Sequence, residues 1–160
     1  EASVNPTIKE VGIVNVKCGK NVVIITPSNL YGCTLDEDVF VGPFCEIQCD
    51  VYIGKRTRVQ SHSFICSSVC IGEDCFIGHS VVFINDTFFQ GAPAPSKDMW
   101  KSTNIGNRVS IGSNATILPV NICDDVVIGA GAVVSKDIVQ SGFYVGNPAR
   151  FLRPLVDSIR

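Results

Sequence analysis

The sequence predicts an all-β fold, a parallel β-helix built from six-residue units. Three observations predict it. From Leu35 onward every sixth residue is aliphatic: Leu35, Val41, Ile47, Ile53, Val59, Ile65, Ile71 and Ile77, with Phe83 closing the run. Two residues before each stands a small or β-branched one: Cys33, Val39, Cys45, Val51, Thr57, Ser63, Val69, Cys75 and Val81. The residue after is often glycine, as at Gly42, Gly54, Gly72 and Gly78. This period fits neither an amphipathic helix nor a simple alternating strand. It is an internal repeat, the mark of a solenoid.

The elements follow from the repeat. A short strand carries one large and one small inward residue, two apart and therefore on one side. The chain then turns a corner, where glycine tolerates backbone angles that other residues resist. Three units close a triangular coil of about eighteen residues, and coils stack at about 4.8 Å. A single coil cannot bury its aliphatic face, so several must stack to make a core.

Taken in order, residues 1–19 are the least regular, with Val4, Ile8, Val11, Ile13, Val14 and Val16 reading as extended chain and an irregular first coil. Val22/Ile24 and Ser28/Leu30 are inward pairs, and the step from Leu30 to Leu35 slips the register once near Tyr31-Gly32. Residues 84–102 break the repeat with Pro93, Pro95, Gly91 and the aromatics Phe88, Phe89 and Trp100. A loop of that length in a compact fold is usually functional or disordered. The repeat returns with Thr103/Ile105, Val109/Ile111, Ala115/Ile117, Val120/Ile122, Val126/Ile128 and Ala132/Val134. A second slip falls at Leu118-Pro119, where proline takes a corner. After a turn at Asn147-Pro148, the short C-terminal tail is expected to form a helix over residues 151–160.

Composition narrows the function. The chain has 160 residues, read as one domain over 1–160, and a net charge of −2. No basic surface advertises nucleic acid, and no apolar run approaches the ~18 residues of a membrane span. The opening residues lack the regions of a signal peptide, and no initiator methionine begins them. Of the eight cysteines, Cys33, Cys45 and Cys75 take small inward positions. The others form no zinc-spaced pattern. Free thiols in a reducing cytoplasm are the expectation.

The repeat resembles that of the hexapeptide acyltransferases over roughly residues 20–153. The resemblance implies a left-handed parallel β-helix, a hand that the right-handed rule for parallel crossovers would not give. Gly129-Ala130-Gly131-Ala132-Val133-Val134 and Gly146-Asn147-Pro148-Ala149-Arg150 resemble the C-terminal end of the coenzyme A-dependent members. This implies acetyl-coenzyme A as cosubstrate, held near Ser113, Ala130, Gly131, Ala132, Lys136, Asn147, Pro148 and Arg150. The small residues would let the pantetheine arm approach the backbone, and the basic ones would meet its phosphates.

The stretch Phe76 to Thr87, with Asn85-Asp86 starting the loop, resembles N-acetyltransferases of nucleotide-linked (dTDP or UDP) 3-amino sugars in bacterial surface glycan and lipopolysaccharide synthesis. It implies catalysis around Asn85, a substrate site that takes in Asp86, Ser67, Cys49 and Trp100, and a homotrimer whose loops pack between subunits. Coil arithmetic stacks Asn85 over Ser67 and Cys49. The two histidines, His62 and His79, should lie outside neighbouring coils and near each other, as candidate bases or substrate contacts. No third histidine accompanies them, which argues against a three-histidine metal site. Two rivals stay open. One is an O-acetyltransferase with a histidine base; the other is a non-catalytic trimerisation module of a bifunctional chain.

Overall fold

The computed structural model of the protein describes residues 4–156. The chain winds through three faces of a triangular prism. The first face runs Ile13–Val14, Asn29–Tyr31, Glu46–Ile47, Phe64–Ile65, Val82–Phe83, Thr116–Ile117 and Val133–Val134. The second runs Lys17–Cys18, Thr34–Leu35, Tyr52–Ile53, Val69–Ile71, Thr103–Ile105 and Asn121–Ile122. The third starts at Val23–Ile24 and includes Phe40–Val41, Arg58–Val59, Phe76–Ile77, Ser110–Ile111 and Val126–Ile128. All these pairings are parallel, one coil to the next. The fold is the left-handed parallel β-helix that the repeat and its resemblance imply.

The core is the repeat turned inward. Every large position from Leu35 to Phe83 is fully buried, and the paired small positions are buried beside them. Thr57 and Ser63 reach the core because their hydroxyls find backbone partners: Thr57 Oγ1 donates to the Gly72 carbonyl at 2.8 Å, and Ser63 Oγ to that of Gly78 at 2.9 Å. A buried hydroxyl left without a partner would be costly.

The corners differ from expectation in one respect. Gly42, Gly54, Gly72 and Gly78 are not the residues with left-handed backbone. That conformation falls two positions later, on Phe44, Arg56, Asp74 and Ser80. The glycines are needed for space between coils. A Cβ on Gly54 would stand 2.6 Å from the Gly72 carbonyl carbon, and one on Gly78 would stand 2.7 Å from the Ile111 carbonyl oxygen.

The tail also differs. Instead of a helix from residue 151, Arg150–Arg153 forms a strand antiparallel to Gly142–Val145 on the third face. The turn at Asn147-Pro148 sends the chain back along an otherwise unpaired strand edge, and pairing satisfies it. The Arg153 guanidinium covers the Phe143 ring at 4.3 Å, and Phe151 meets Tyr144 edge-on. Residues 157–160, where the rest of that helix was expected, lie outside the described residues.

Residues 84–102 leave the prism between the first and second faces, as expected. Their one regular element is the single turn Lys97–Met99, capped by Ser96.

Candidate functional site

Two corners collect the candidate residues. At the corner from the third face to the first stand His62, His79, Ser113, Ala130 and Gly131. The strand registers stack His79, Ser113 and Ala130 in one column. His79 Nδ1 lies 2.9 Å from Ser61 Oγ on the coil below. His62 has left-handed backbone, φ 63°, and its ring packs on Phe44 with centroids 5.0 Å apart. Both histidines are exposed on neighbouring coils, as expected, but their rings turn to different partners.

The expected small-residue run divides. Ala130 and Gly131 are exposed, and the Gly131 N–H donates to the Ser113 carbonyl at 2.9 Å. The Ala132 side chain lies in the core, and its N–H and C=O bond Gly129 and Thr116. Asn147 and Pro148 are exposed beside the last coil of the first face, where Val133 bonds Gly146 and Ala149. Arg150 is exposed at the start of the terminal strand. Lys136 stands apart from them: its register places it on the other corner, in line with Asn85.

The corner from the first face to the second carries Cys49, Ser67 and Asn85 in the stacked order expected. Asn85 Nδ2 donates to Ser67 Oγ at 3.1 Å and to the Ser67 carbonyl at 3.4 Å. This orients the amide. Nδ2 is held against the coil, and among the described residues Oδ1 has no hydrogen-bond donor of its own. The Asn85 carbonyl accepts from Lys101 N–H at 3.0 Å, closing the neck of the loop. Asp86 shapes the loop from within, its two oxygens accepting from Phe88 N–H at 2.9 Å and Ala94 N–H at 2.7 Å.

A cavity of about 310 Å³ opens between this loop and the first face. Asn85 and Asp86 stand at it with Trp100 and Phe88 from the loop. Its other lining is Gln48, Phe64, Cys66 and Ile84. A second cavity, of about 280 Å³, lies within the loop between Asp86, Phe89, Met99 and Lys101. Three of the expected residues, Asn85, Asp86 and Trp100, thus share one cavity. Ser67 supports it from below, and Cys49 does not line it. Burial pushes the Cys66 thiol up to about 11, so it enters as a neutral apolar wall and not as a nucleophile.

Gln48, Phe64 and Cys66 were not singled out from the sequence. Coil arithmetic could have found Gln48 and Cys66, which repeat with Ile84 at one coil's spacing on the outer side of the first face; Phe64 stands in the adjacent column with Glu46 and Val82.

Among the described residues no three His, Cys, Asp or Glu side chains are grouped to hold a metal ion. No helix there is long and apolar enough to cross a membrane.

Comparison with known proteins agrees with this architecture. A family model described as the hexapeptide repeat of succinyl-transferase matches residues 103–136. The galactoside O-acetyltransferase of Escherichia coli is 48% identical over 54 residues, which are 33% of this chain and 27% of that enzyme. Among solved structures, a variant of the GDP-perosamine N-acetyltransferase of Caulobacter crescentus, in complex with coenzyme A and GDP-perosamine, superposes with a TM-score of 0.64 at 22% identity. That match covers 86% of this chain and 57% of the other. A hexapeptide-repeat acetyltransferase of Vibrio cholerae complexed with acetyl-coenzyme A gives a TM-score of 0.64 at 25% identity, covering 79% of this chain and 72% of that one. The chain therefore matches about a quarter of the length of the curated relative and little over half of the perosamine structure.

Proposed function

We propose that this chain is a hexapeptide-repeat acyltransferase that transfers an acetyl group from acetyl-coenzyme A to the amine of a nucleotide-linked amino sugar. The observation that carries the reading is the Asn85 amide, with Nδ2 tied to Ser67 and Oδ1 left as an acceptor at a cavity walled by Phe64, Ile84 and Trp100. A sugar amine in its neutral form offers N–H donors to that oxygen and keeps its lone pair for attack. The carbon–nitrogen bond forms at the thioester carbonyl, the carbon–sulfur bond breaks, and coenzyme A leaves as a thiolate that takes up the proton lost by the amine. Alignment supplies much of the rate, so no strong base is required.

Three features support the cosubstrate and the acceptor class. Ala130 and Gly131 present an open, small-residue surface for a pantetheine arm. Exposed Arg150 is a cation suited to its phosphates. Structural neighbours were solved with coenzyme A and GDP-perosamine, or with acetyl-coenzyme A. The two candidate corners are separated by the first face, and Phe89 on the loop is 88% exposed. A homotrimer would bring one subunit's loop against another's corner and join the two halves into a site between subunits. A sedimentation mass of one chain at micromolar concentration would remove that assembly.

One observation favours a second reading. Ser61 holds His79 Nδ1 at 2.9 Å, which orients the ring and leaves Nε2 without a hydrogen-bond partner among the described residues, on the same column as Ser113 and Ala130. A histidine so held could deprotonate a hydroxyl acceptor, as an O-acetyltransferase requires. The deciding experiment is a panel of nucleotide-linked amino sugars and plain sugar hydroxyl acceptors, each with acetyl-coenzyme A and thiol release as readout. Turnover confined to the amino sugars supports the amine reading. Turnover of hydroxyl acceptors favours the second reading, and failure to bind coenzyme A leaves a scaffold role.

A further inference from the structure

Asn85 does not stand alone. It ends a line of hydrogen bonds that runs through four successive coils along the first face and its corner. Asn29 Nδ2 donates to Glu46 Oε1 at 2.8 Å. Gln48 Nε2 donates to the other oxygen, Glu46 Oε2, at 3.1 Å. Gln48 Oε1 then accepts from the Ser67 N–H at 3.2 Å, and Ser67 receives the Asn85 amide.

The order of donors and acceptors in this line is determined. A carboxylate only accepts, so both amides that meet Glu46 must present their nitrogens. With its nitrogen toward Glu46, Gln48 must present oxygen to the Ser67 N–H. Gln48 holds Ser67 by its N–H, and the Ser67 carbonyl, which can only accept, faces Asn85 Nδ2 together with the side-chain hydroxyl; that turns Asn85 Oδ1 away. Among the described residues no Lys, Arg or His forms an ion pair with Glu46. Its charge is met by the two amides. All four supporting residues are at least partly buried, where a wrongly turned amide leaves unsatisfied groups and costs free energy.

We infer that Glu46 and Gln48 are positioning residues of the acceptor site: they hold Ser67 where its carbonyl and hydroxyl orient the Asn85 amide. Gln48 has a further role because it also lines the cavity, so its replacement changes acceptor binding as well as turnover. The inference rests on the acetyl-transfer reading for its kinetic consequence, but the orientation of the amide does not depend on it.

The test exploits the polarity of the line. Gln48→Glu places a second carboxylate against Glu46 and removes the donor between them. Glu46→Gln alone removes one of the two acceptor oxygens. In the Glu46→Gln/Gln48→Glu double variant the donor and acceptor exchange places: position 46 still accepts from Asn29 and now donates, while position 48 accepts from both sides. Each single variant is expected to lose about tenfold to a hundredfold in kcat, and the double variant to recover most of it. A cavity-lining effect of Gln48 would show separately in KM and persist in the double variant.

The side-chain amide signals of Asn85, assigned by their loss in Asn85→Ala, provide a readout that needs no turnover. They are expected to shift in Gln48→Leu and in Gln48→Glu, and to return in the double variant. Unchanged signals in folded single variants overturn the inference, as does a double variant no better than the worse single one. Shifts and recovery in a protein that transfers no acetyl group would uphold the positioning line and defeat the proposed reaction.

Discussion

Asn85 Nδ2 and Ser67 Oγ lie 3.1 Å apart across two successive coils. The contact holds an amide at the one place where the regular coil ends and the aromatic loop departs. It joins the β-helix, which is rigid by stacking, to the segment that encloses the candidate acceptor cavity.

Asn85→Ala removes the oriented acceptor and should lower kcat by roughly 30- to 1000-fold, the usual loss of one well-aimed polar contact in a dry site. His62→Ala and His79→Ala should change acceptor affinity more than turnover. Steady-state kinetics at saturating substrates across pH provide the check. Normal turnover in Asn85→Ala together with its loss in a histidine variant would replace the base-free reading by a His79 general base.

Gly54→Ala should destabilise the fold by about 1–3 kcal/mol, as expected for overpacking. The added methyl meets the Gly72 backbone at 2.6 Å, and a stacked coil has little room to yield. Gly12→Ala is the matching control. Beyond its chain neighbours, no described residue has an atom within 4 Å of a Cβ built there, so reduced unfolded-state entropy should give a gain of about 0.4–1 kcal/mol. Urea unfolding of both variants measures the contrast.

Gly131→Leu should weaken acetyl-coenzyme A binding while leaving the fold intact. Beyond its own chain neighbours, no described residue stands within 4 Å of a Cβ at that position, although φ there is +71°. The backbone strain is of the order of 1 kcal/mol. Calorimetric titration with acetyl-coenzyme A and a thermal melt separate the two effects. Unchanged affinity would show that the cosubstrate runs elsewhere.

Tyr52 should titrate well after an ordinary tyrosine. Its hydroxyl donates to Asp36 Oδ2 at 2.7 Å. The bond to that carboxylate, with burial, pushes the phenol up to about 12. A phenol raised in the folded state contributes stability that is complete below its unfolded pKa, near 10, and is lost as pH rises through about 12. The same bond holds the Asp36 carboxyl below its usual range. That contribution is present above the unfolded carboxyl pKa and is lost as pH falls through the lowered one. Ultraviolet titration of the phenolates, with Tyr52→Phe as reference, should show one late tyrosine that the variant lacks.

The sequence by itself determined the architecture. A strict six-residue spacing of paired inward residues leaves few other ways to bury Leu35 through Phe83, and the break at 84–102 is readable because prolines and aromatics cannot continue the stack. The column of Cys49, Ser67 and Asn85 followed from the same arithmetic. Three things were decided only by the tertiary structure. Gly42, Gly54, Gly72 and Gly78 serve coil-to-coil distance and not left-handed backbone, a difference that no single coil can reveal. Arg150–Arg153 became a strand because an unpaired edge lay beside it, a partner remote from any local helical preference. The direction of the Asn85 amide was settled by the carbonyl and hydroxyl of Ser67, on a neighbouring coil that Asn85 meets only when the coils are stacked.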